Sequence, residues 1–188
     1  SAGDQQLEQI AEVQTPDSLL EELPQPVDLL SSTELEELGI TRVELANGIQ
    51  LWLKPTDFKD DEVLLSIYSP GGLSVVEDAD VVTAQLAPLI VSQGGVGAFS
   101  LNDLERILAG KNASLSPYLG ELEEGFSGSA SPQDLETLFQ LLYLYSTQPR
   151  TDADAFTNFQ RQVVDYLQNR ALDPASALGP AVGSRGLP

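Results

Sequence analysis

Two alternating runs separated by Asn47-Gly48 constrain this chain more than any other feature. Arg42-Val43-Glu44-Leu45 and Ile49-Gln50-Leu51-Trp52-Leu53 place apolar side chains at every second position, a pattern that an extended strand sorts onto one face. Asn and Gly both tolerate positive φ, so the pair between the runs predicts a tight hairpin. Pro55 stops the second run. A third strand is predicted over Glu62–Tyr68, with Val63, Leu65 and Ile67 on one face and Pro70-Gly71-Gly72 at its end. Consecutive strands joined this closely favour antiparallel pairing, and their apolar face must be covered by another layer.

That layer is predicted to be helical. Over Val76–Gln93 the residues Val82, Leu86, Leu89 and Ile90 recur at helical spacing, with Gly94-Gly95 as terminator. Ser100 and Asp103 have capping-box spacing at the head of a helix over Ser100–Ala109, striped by Leu101, Leu104, Ile107 and Leu108. Two strands follow, Asn112–Tyr118 and Glu123–Ala130. The second is rich in Gly and Ser, which predicts close backbone packing instead of a bulky core face.

Ser131-Pro132-Gln133-Asp134 supplies a cap and a first-turn proline ahead of Leu135, Leu138, Phe139, Leu142 and Tyr145. Thr151 and Asp154 repeat the cap spacing before Phe156, Phe159, Val163 and Leu167. The order βββααββαα, with strands and helices grouped, predicts an α+β fold: an antiparallel-rich sheet covered by helices on one side.

The domain organisation follows from where this patterning starts and stops. Residues 1–38 hold ten acidic residues and no basic one, with Pro16, Pro24 and Pro26 breaking any long helix, and are expected to be an interdomain linker or arm. Short helical turns are possible there at Gln5–Glu12 and Asp17–Glu22, and Leu19, Leu20 and Leu23 could pin the arm to a neighbouring surface. Residues 39–173 form the expected α+β domain. Residues 174–188 lose periodicity and read as a frayed or truncated tail. The start at Ser1-Ala2-Gly3, without Met or a signal-peptide pattern, is expected of a processed piece.

Composition excludes several function classes. With 9 basic and 29 acidic residues the net charge is −20, which repels phosphate backbones and anionic membranes, so no nucleic acid partner is expected. No apolar run approaches the roughly eighteen residues of a membrane span, and no membrane insertion is expected. There is no Cys and no His. Thiolate metal sites and disulfides are thereby impossible, and the commonest metal ligand and usual general base are missing.

The remaining motifs fail their context tests. Gly94-Gly95-Val96-Gly97 follows a helix and lacks the Lys-Ser/Thr ending of a phosphate loop, and Pro70-Gly71-Gly72 matches no dinucleotide fingerprint. The acidic groups Asp60-Asp61, Glu77-Asp78 with Asp80, and Glu121, Glu123 and Glu124 do not form a calcium loop, and they read as solvated faces. Gly125-Phe126-Ser127-Gly128-Ser129 is not a nucleophile elbow, and no His is present to activate a serine.

The stretch Leu45-Ala46-Asn47-Gly48-Ile49-Gln50-Leu51-Trp52-Leu53-Lys54-Pro55-Thr56-Asp57-Phe58-Lys59 resembles the opening of the second half of bacterial insulinase/pitrilysin-type zinc peptidases. Glu62-Val63-Leu64-Leu65, Ser69-Pro70-Gly71-Gly72-Leu73-Ser74, Gly110-Lys111, Phe126-Ser127-Gly128, Asp134-Leu135-Glu136 and Gln140-Leu141-Leu142-Tyr143-Leu144 continue the likeness in order, over roughly Glu36 to Ser176.

The resemblance implies a metallohydrolase-like fold and a protein of two related halves enclosing a chamber for peptides. The catalytic half of the family carries an inverted His-x-x-Glu-His zinc motif on the first helix after the third strand. The corresponding helix here carries Pro88, Leu89, Ile90, Val91 and Ser92, and the later helix over Asp152–Arg170, where a third ligand would fall, contains no Glu. The expectation is therefore a non-catalytic, structural and substrate-enclosing portion of a zinc metallopeptidase, with no catalytic, metal or cofactor residue of its own and zinc in the other half. Its expected partners are that catalytic half and a peptide substrate, with a dimer possible through exposed truncated surface. A bacterial periplasm or cell envelope is the compartment the resemblance implies. A stand-alone scaffold or binding protein with an inactive peptidase-like fold is the alternative.

Overall fold

The structure, a computed structural model, describes Pro16 and residues 18–172. Six strands fall into two antiparallel sheets. The first is the meander β1 (Leu29–Leu35), β2 (Ile40–Leu45) and β3 (Gln50–Leu53). The second has the order β4-β6-β5, from β4 (Val63–Pro70), β5 (Ala113–Leu119) and β6 (Glu123–Ala130). Between β4 and β5 run helices α1 (Val81–Gly94) and α2 (Leu101–Leu108). After β6 come α3 (Leu135–Thr147) and α4 (Ala153–Leu172).

The expected α+β class and antiparallel pairing are present, with two corrections. The sheet is divided in two, and an unforeseen strand, β1, lies inside the segment expected to be linker. The sequence Leu29-Leu30-Ser31-Ser32-Thr33-Glu34-Leu35 lacks clean alternation, and pairing with β2 supplies the order that local pattern does not. The hairpin at Asn47-Gly48 forms as expected: Gly48 takes φ 86°, and Asn47 Oδ1 accepts the Ile49 N–H at 3.1 Å.

The second sheet holds the core. Val63, Ala130 and Ala113, then Leu65, Gly128 and Leu115, then Ile67, Phe126 and Pro117 lie in registered rows on one face. Helices α1 and α3 cover this face. Leu104 and Ile107 of α2, Leu138, Leu141 and Leu144 of α3, and Val96 complete the buried cluster, with Leu138 and Val96 fully buried. The opposite face stays open, with rows Leu64-Ser129-Ser114 and Ser66-Ser127-Ser116.

β6 is the central strand, and its glycines make that position possible. A Cβ on Gly125 would collide with the Ile67 carbonyl oxygen of β4, and one on Gly128 with the Ser114 carbonyl oxygen of β5. The close packing expected of this strand is thus the packing observed, against strands on both sides.

Helix α1 departs from expectation. Of the expected stripe Val82, Leu86, Leu89 and Ile90, only Ile90 is half-buried; the other three are 70%, 43% and 47% exposed, while Val81, Ala84, Pro88 and Val91 are half-buried. The helix has no charged residue, so periodicity could not choose its face. The side bearing Ala84 and Pro88 is the one turned inward. Phe139 of α3, and Phe156 and Leu167 of α4, also expected inside, are more than 40% exposed.

Three aspartates fix helix starts. Asp103 closes the expected capping box, accepting from Ser100 Oγ at 2.6 Å and Ser100 N–H at 3.2 Å. Asp134 accepts from the Asn112 N–H and Ser131 Oγ, ahead of a short 3₁₀ turn (Pro132–Asp134) that leads into α3. At α4 the cap is Asp152, which accepts the Ala155 and Asp154 N–H groups at 2.9 and 3.1 Å, and not the expected Thr151. Of the arm's expected turns, Gln5–Glu12 lies outside the described residues, as does the 174–188 tail, and residues 18–22 form bends instead of helix.

The hydrogen bonds to Ser100, Asn112 and Ala155 lead in holding Asp103, Asp134 and Asp152 below the ordinary value of 3.8. A depressed folded value contributes stability that is present above the ordinary value and lost as pH falls through the folded one. Asp103→Asn, Asp134→Asn and Asp152→Asn combined are expected to flatten the drop in urea midpoint between about pH 5 and about pH 2.5, compared with the unaltered chain. A second expectation concerns β6. Gly128→Ala should destabilise the chain by about 1–3 kcal/mol, because the collision is with backbone, and an unchanged urea midpoint would contradict the close approach.

Candidate functional site

The helix that follows β4 is where the resemblance would place a catalytic centre. α1 reads Val-Val-Thr-Ala-Gln-Leu-Ala-Pro-Leu-Ile-Val-Ser-Gln-Gly, without one ionisable side chain. Pro88, Ile90, Val91 and Ser92 are half-buried and Leu89 faces outward. The Ser92 hydroxyl donates to the Pro88 carbonyl at 2.8 Å, so it is engaged within the helix. Pro88 has no N–H to offer the preceding turn.

α4 packs against α1, as the partner helix of a metal centre would. It brings Asp154, Arg161 and Asp165, all exposed, and no Glu. Zinc is held by imidazole, thiolate and carboxylate groups converging at about 2.0–2.3 Å. The donor set of this helix pair does not fit that requirement: besides backbone carbonyls, α1 offers only the hydroxyls of Thr83 and Ser92 and the amides of Gln85 and Gln93, with no imidazole, thiolate or carboxylate. Among the described residues, no group of three or more His, Cys, Asp or Glu side chains converges.

The other motifs have structural occupations. Gly94-Gly95-Val96-Gly97 forms the turn between α1 and α2. Gly95 takes φ 79°, and a Cβ on Gly94 would strike the Arg150 carbonyl oxygen. Its amides are spent inside the protein, Val96 N–H donating to Phe99 O at 3.0 Å and Gly97 N–H to Gln148 O at 2.9 Å. No cradle of free N–H groups is left for a phosphate. Ser127 and Ser129 lie within β6, Ser129 Oγ being 3.4 Å from Ser114 Oγ, far from the strand-to-helix turn a nucleophile elbow needs.

The acidic groups do not act together. Asp60 and Asp61 are exposed beside Lys59, which reaches Asp61 at 4.0 Å and Glu62 at 3.4 Å. They edge a shallow groove of about 310 Å³ shared with Asn112, Ser131, Pro132 and Gln133. Glu124 accepts the buried Gly72 N–H, tying the start of β6 to the turn after β4. Glu123 sits 3.5 Å from the Tyr118 hydroxyl, and burial, then this carboxylate, pushes the phenol up from its ordinary value. Glu77 and Asp80 shape the turn into α1, with the Asp80 N–H donating to Glu77 O.

Of the leucines expected to pin the arm, Leu19 is buried in the core and Leu20 packs against it, while Leu23 is exposed; the polar partner of this docking was not foreseen. Gln140, buried in α3, accepts the Leu19 N–H from the arm at 2.8 Å. A Gln inside an apolar stripe gives no local signal of a partner 121 residues away.

No protein-family model matches the chain. It is 28% identical over 148 residues to a zinc protease PQQL-like protein of Arabidopsis thaliana, covering 79% of this chain and 15% of that protein. It is 27% identical over 135 residues to a probable zinc protease PqqL of Haemophilus influenzae, covering 71% and 14%. The chain thus spans about one-seventh of the length of these curated relatives. Two crystal structures share its fold over 85% of its length and 18% of theirs. The periplasmic protease PqqL of Escherichia coli matches with a TM-score of 0.70 at 22% identity, and the ferredoxin protease FusC, in complex with Arabidopsis ferredoxin, with 0.66 at 21%. In sequence the chain is thus similar to two zinc proteases, and in fold to two solved proteases, a likeness in keeping with the resemblance to insulinase/pitrilysin-type zinc peptidases.

Proposed function

We propose that this chain belongs to the non-catalytic half of such a peptidase and serves as structural wall and substrate enclosure, while zinc and the catalytic groups reside in the other half. The observation that carries this reading is α1. The helix that would hold the inverted zinc motif has Pro88-Leu89-Ile90-Val91-Ser92 at its centre, in a sequence with no His anywhere. Zinc-site geometry depends on a rigid pair of ligands on adjacent turns, and a mid-helix proline works against that rigidity.

In this reading the ultimate ligand is a peptide or protein, as ferredoxin is for FusC. The uncharged stripe Val82, Leu86 and Leu89 is a surface on which another part of the peptidase can seat. By analogy with the Escherichia coli relative, the compartment is the bacterial periplasm or envelope. A stand-alone scaffold would share the inactive helix. The reading as a portion of a peptidase is favoured because both curated relatives are much longer proteins that carry the zinc protease name.

Zinc titration by calorimetry, with peptide hydrolysis assayed on the same sample, tests the proposal. The expected result is binding no tighter than about millimolar, about −4 kcal/mol, with no cleavage. Stoichiometric tight zinc accompanied by hydrolysis would overturn it. A helix free of catalytic constraint also tolerates repair. Pro88→Ala should stabilise the chain by up to about 3 kcal/mol in urea unfolding, with the zinc titration unchanged. A destabilised variant would show that the proline is required where it stands.

A further inference from the structure

The buried flank of α3 carries two polar side chains, Thr137 and Gln140, that the reading above leaves unused. Thr137 accepts from Lys111 Nζ at 3.2 Å. Gln140, 5% exposed, is bonded at both ends of its amide: Oε1 accepts the Leu19 N–H at 2.8 Å, and Nε2 donates to Glu136 Oε1 at 2.9 Å. With its nitrogen donating to Glu136, the Gln140 amide presents its oxygen toward the arm.

Leu19 is not merely near α3. It is 6% exposed and belongs to the same buried cluster as Leu138, Leu141 and Leu144. Ser18 Oγ donates to Leu20 O at 2.9 Å and accepts the Leu20 N–H at 3.2 Å, a local turn that flanks Leu19 on both sides. On either side the arm is open: Pro16 is exposed, and so is every residue from Glu21 to Leu30.

We propose that the flank of α3 is a docking surface whose occupant is the chain's own segment Ser18–Leu20, and that the seated segment works as a clamp on the incoming polypeptide. Buried Leu19, partly buried Leu20 packed against the same cluster, and one buried hydrogen bond hold the arm over this short segment. Glu21–Asp28, exposed and carrying Pro24 and Pro26, then spans to β1. A pull from upstream is taken up by α3 and the second sheet, and does not reach the pairing of β1 with β2. Where the upstream polypeptide joins the zinc-bearing half, the clamp is the point at which the halves pull on one another. That consequence rests on the proposed function, whereas the clamp does not.

Hydrogen exchange on the full chain tests it. The Leu19 amide should be protected like those of α3, whereas Glu21–Asp28 should exchange freely. Gln140→Met, which removes the acceptor at similar volume, and Leu19→Ala should each lower protection at Leu19 by about tenfold while α3 keeps its own. Free exchange at Leu19 in the unaltered chain, or unchanged protection in both variants, overturns the clamp. So does loss of α3 protection in both variants, because the segment would then be an inseparable part of the core. None of these outcomes bears on the zinc titration, so the clamp and the non-catalytic reading stand or fall separately.

Discussion

The close approach of β6 to both of its neighbours is the constraint on which the rest of the structure depends. Backbone carbonyls of β4 and β5 occupy the space where Cβ atoms of Gly125 and Gly128 would lie, so only glycine permits this spacing at those positions. The register set there aligns Leu65, Gly128 and Leu115 in one row and Ile67, Phe126 and Pro117 in the next. Those rows are the floor onto which α1 and α3 pack. A sheet spaced more widely would leave Leu115 and the leucines of α3 without a close-packed partner, and interiors gain their stability from close packing.

The helices use this floor unequally. α3 sends Leu138, Leu141 and Leu144 into the core and is the helix to which the arm is fastened. α1 turns Ala84, Pro88, Ile90 and Val91 toward the protein and leaves Val82, Leu86 and Leu89 outside. The same helix is the one whose counterpart in a zinc-bearing half would carry the metal ligands. In the proposed reading it is a packing element, since it carries no ionisable group and has a central proline. The acidic residues among the described ones lie elsewhere, three of them as helix caps and others on exposed positions of strands, helices and loops.

Much of this architecture was legible in local sequence because local physics decided it. The Asn47-Gly48 hairpin, the Ser100–Asp103 capping box and the Gly-rich strand β6 each follow from a few adjacent residues: positive φ, a side chain reaching three residues on, the absence of Cβ. The lack of any His or Cys was likewise complete in the sequence, and it removed the usual zinc and acid–base chemistry before any coordinate was known.

Long-range packing decided the remainder. β1 has no clean alternation and becomes a strand only because β2 offers it a partner. The buried side of α1 could not be read from a helix without charged residues, and was set by its packing against the rest of the fold. Gln140 carries no sign of its role until tertiary structure brings Leu19 across 121 residues to its amide. The sequence by itself determined the element types and the absence of a zinc ligand set on α1, since both depend on residue chemistry and short spacing. Only the tertiary structure decided the division into two sheets, the face of α1 and the seating of the arm, because each depends on contacts between residues far apart in the chain.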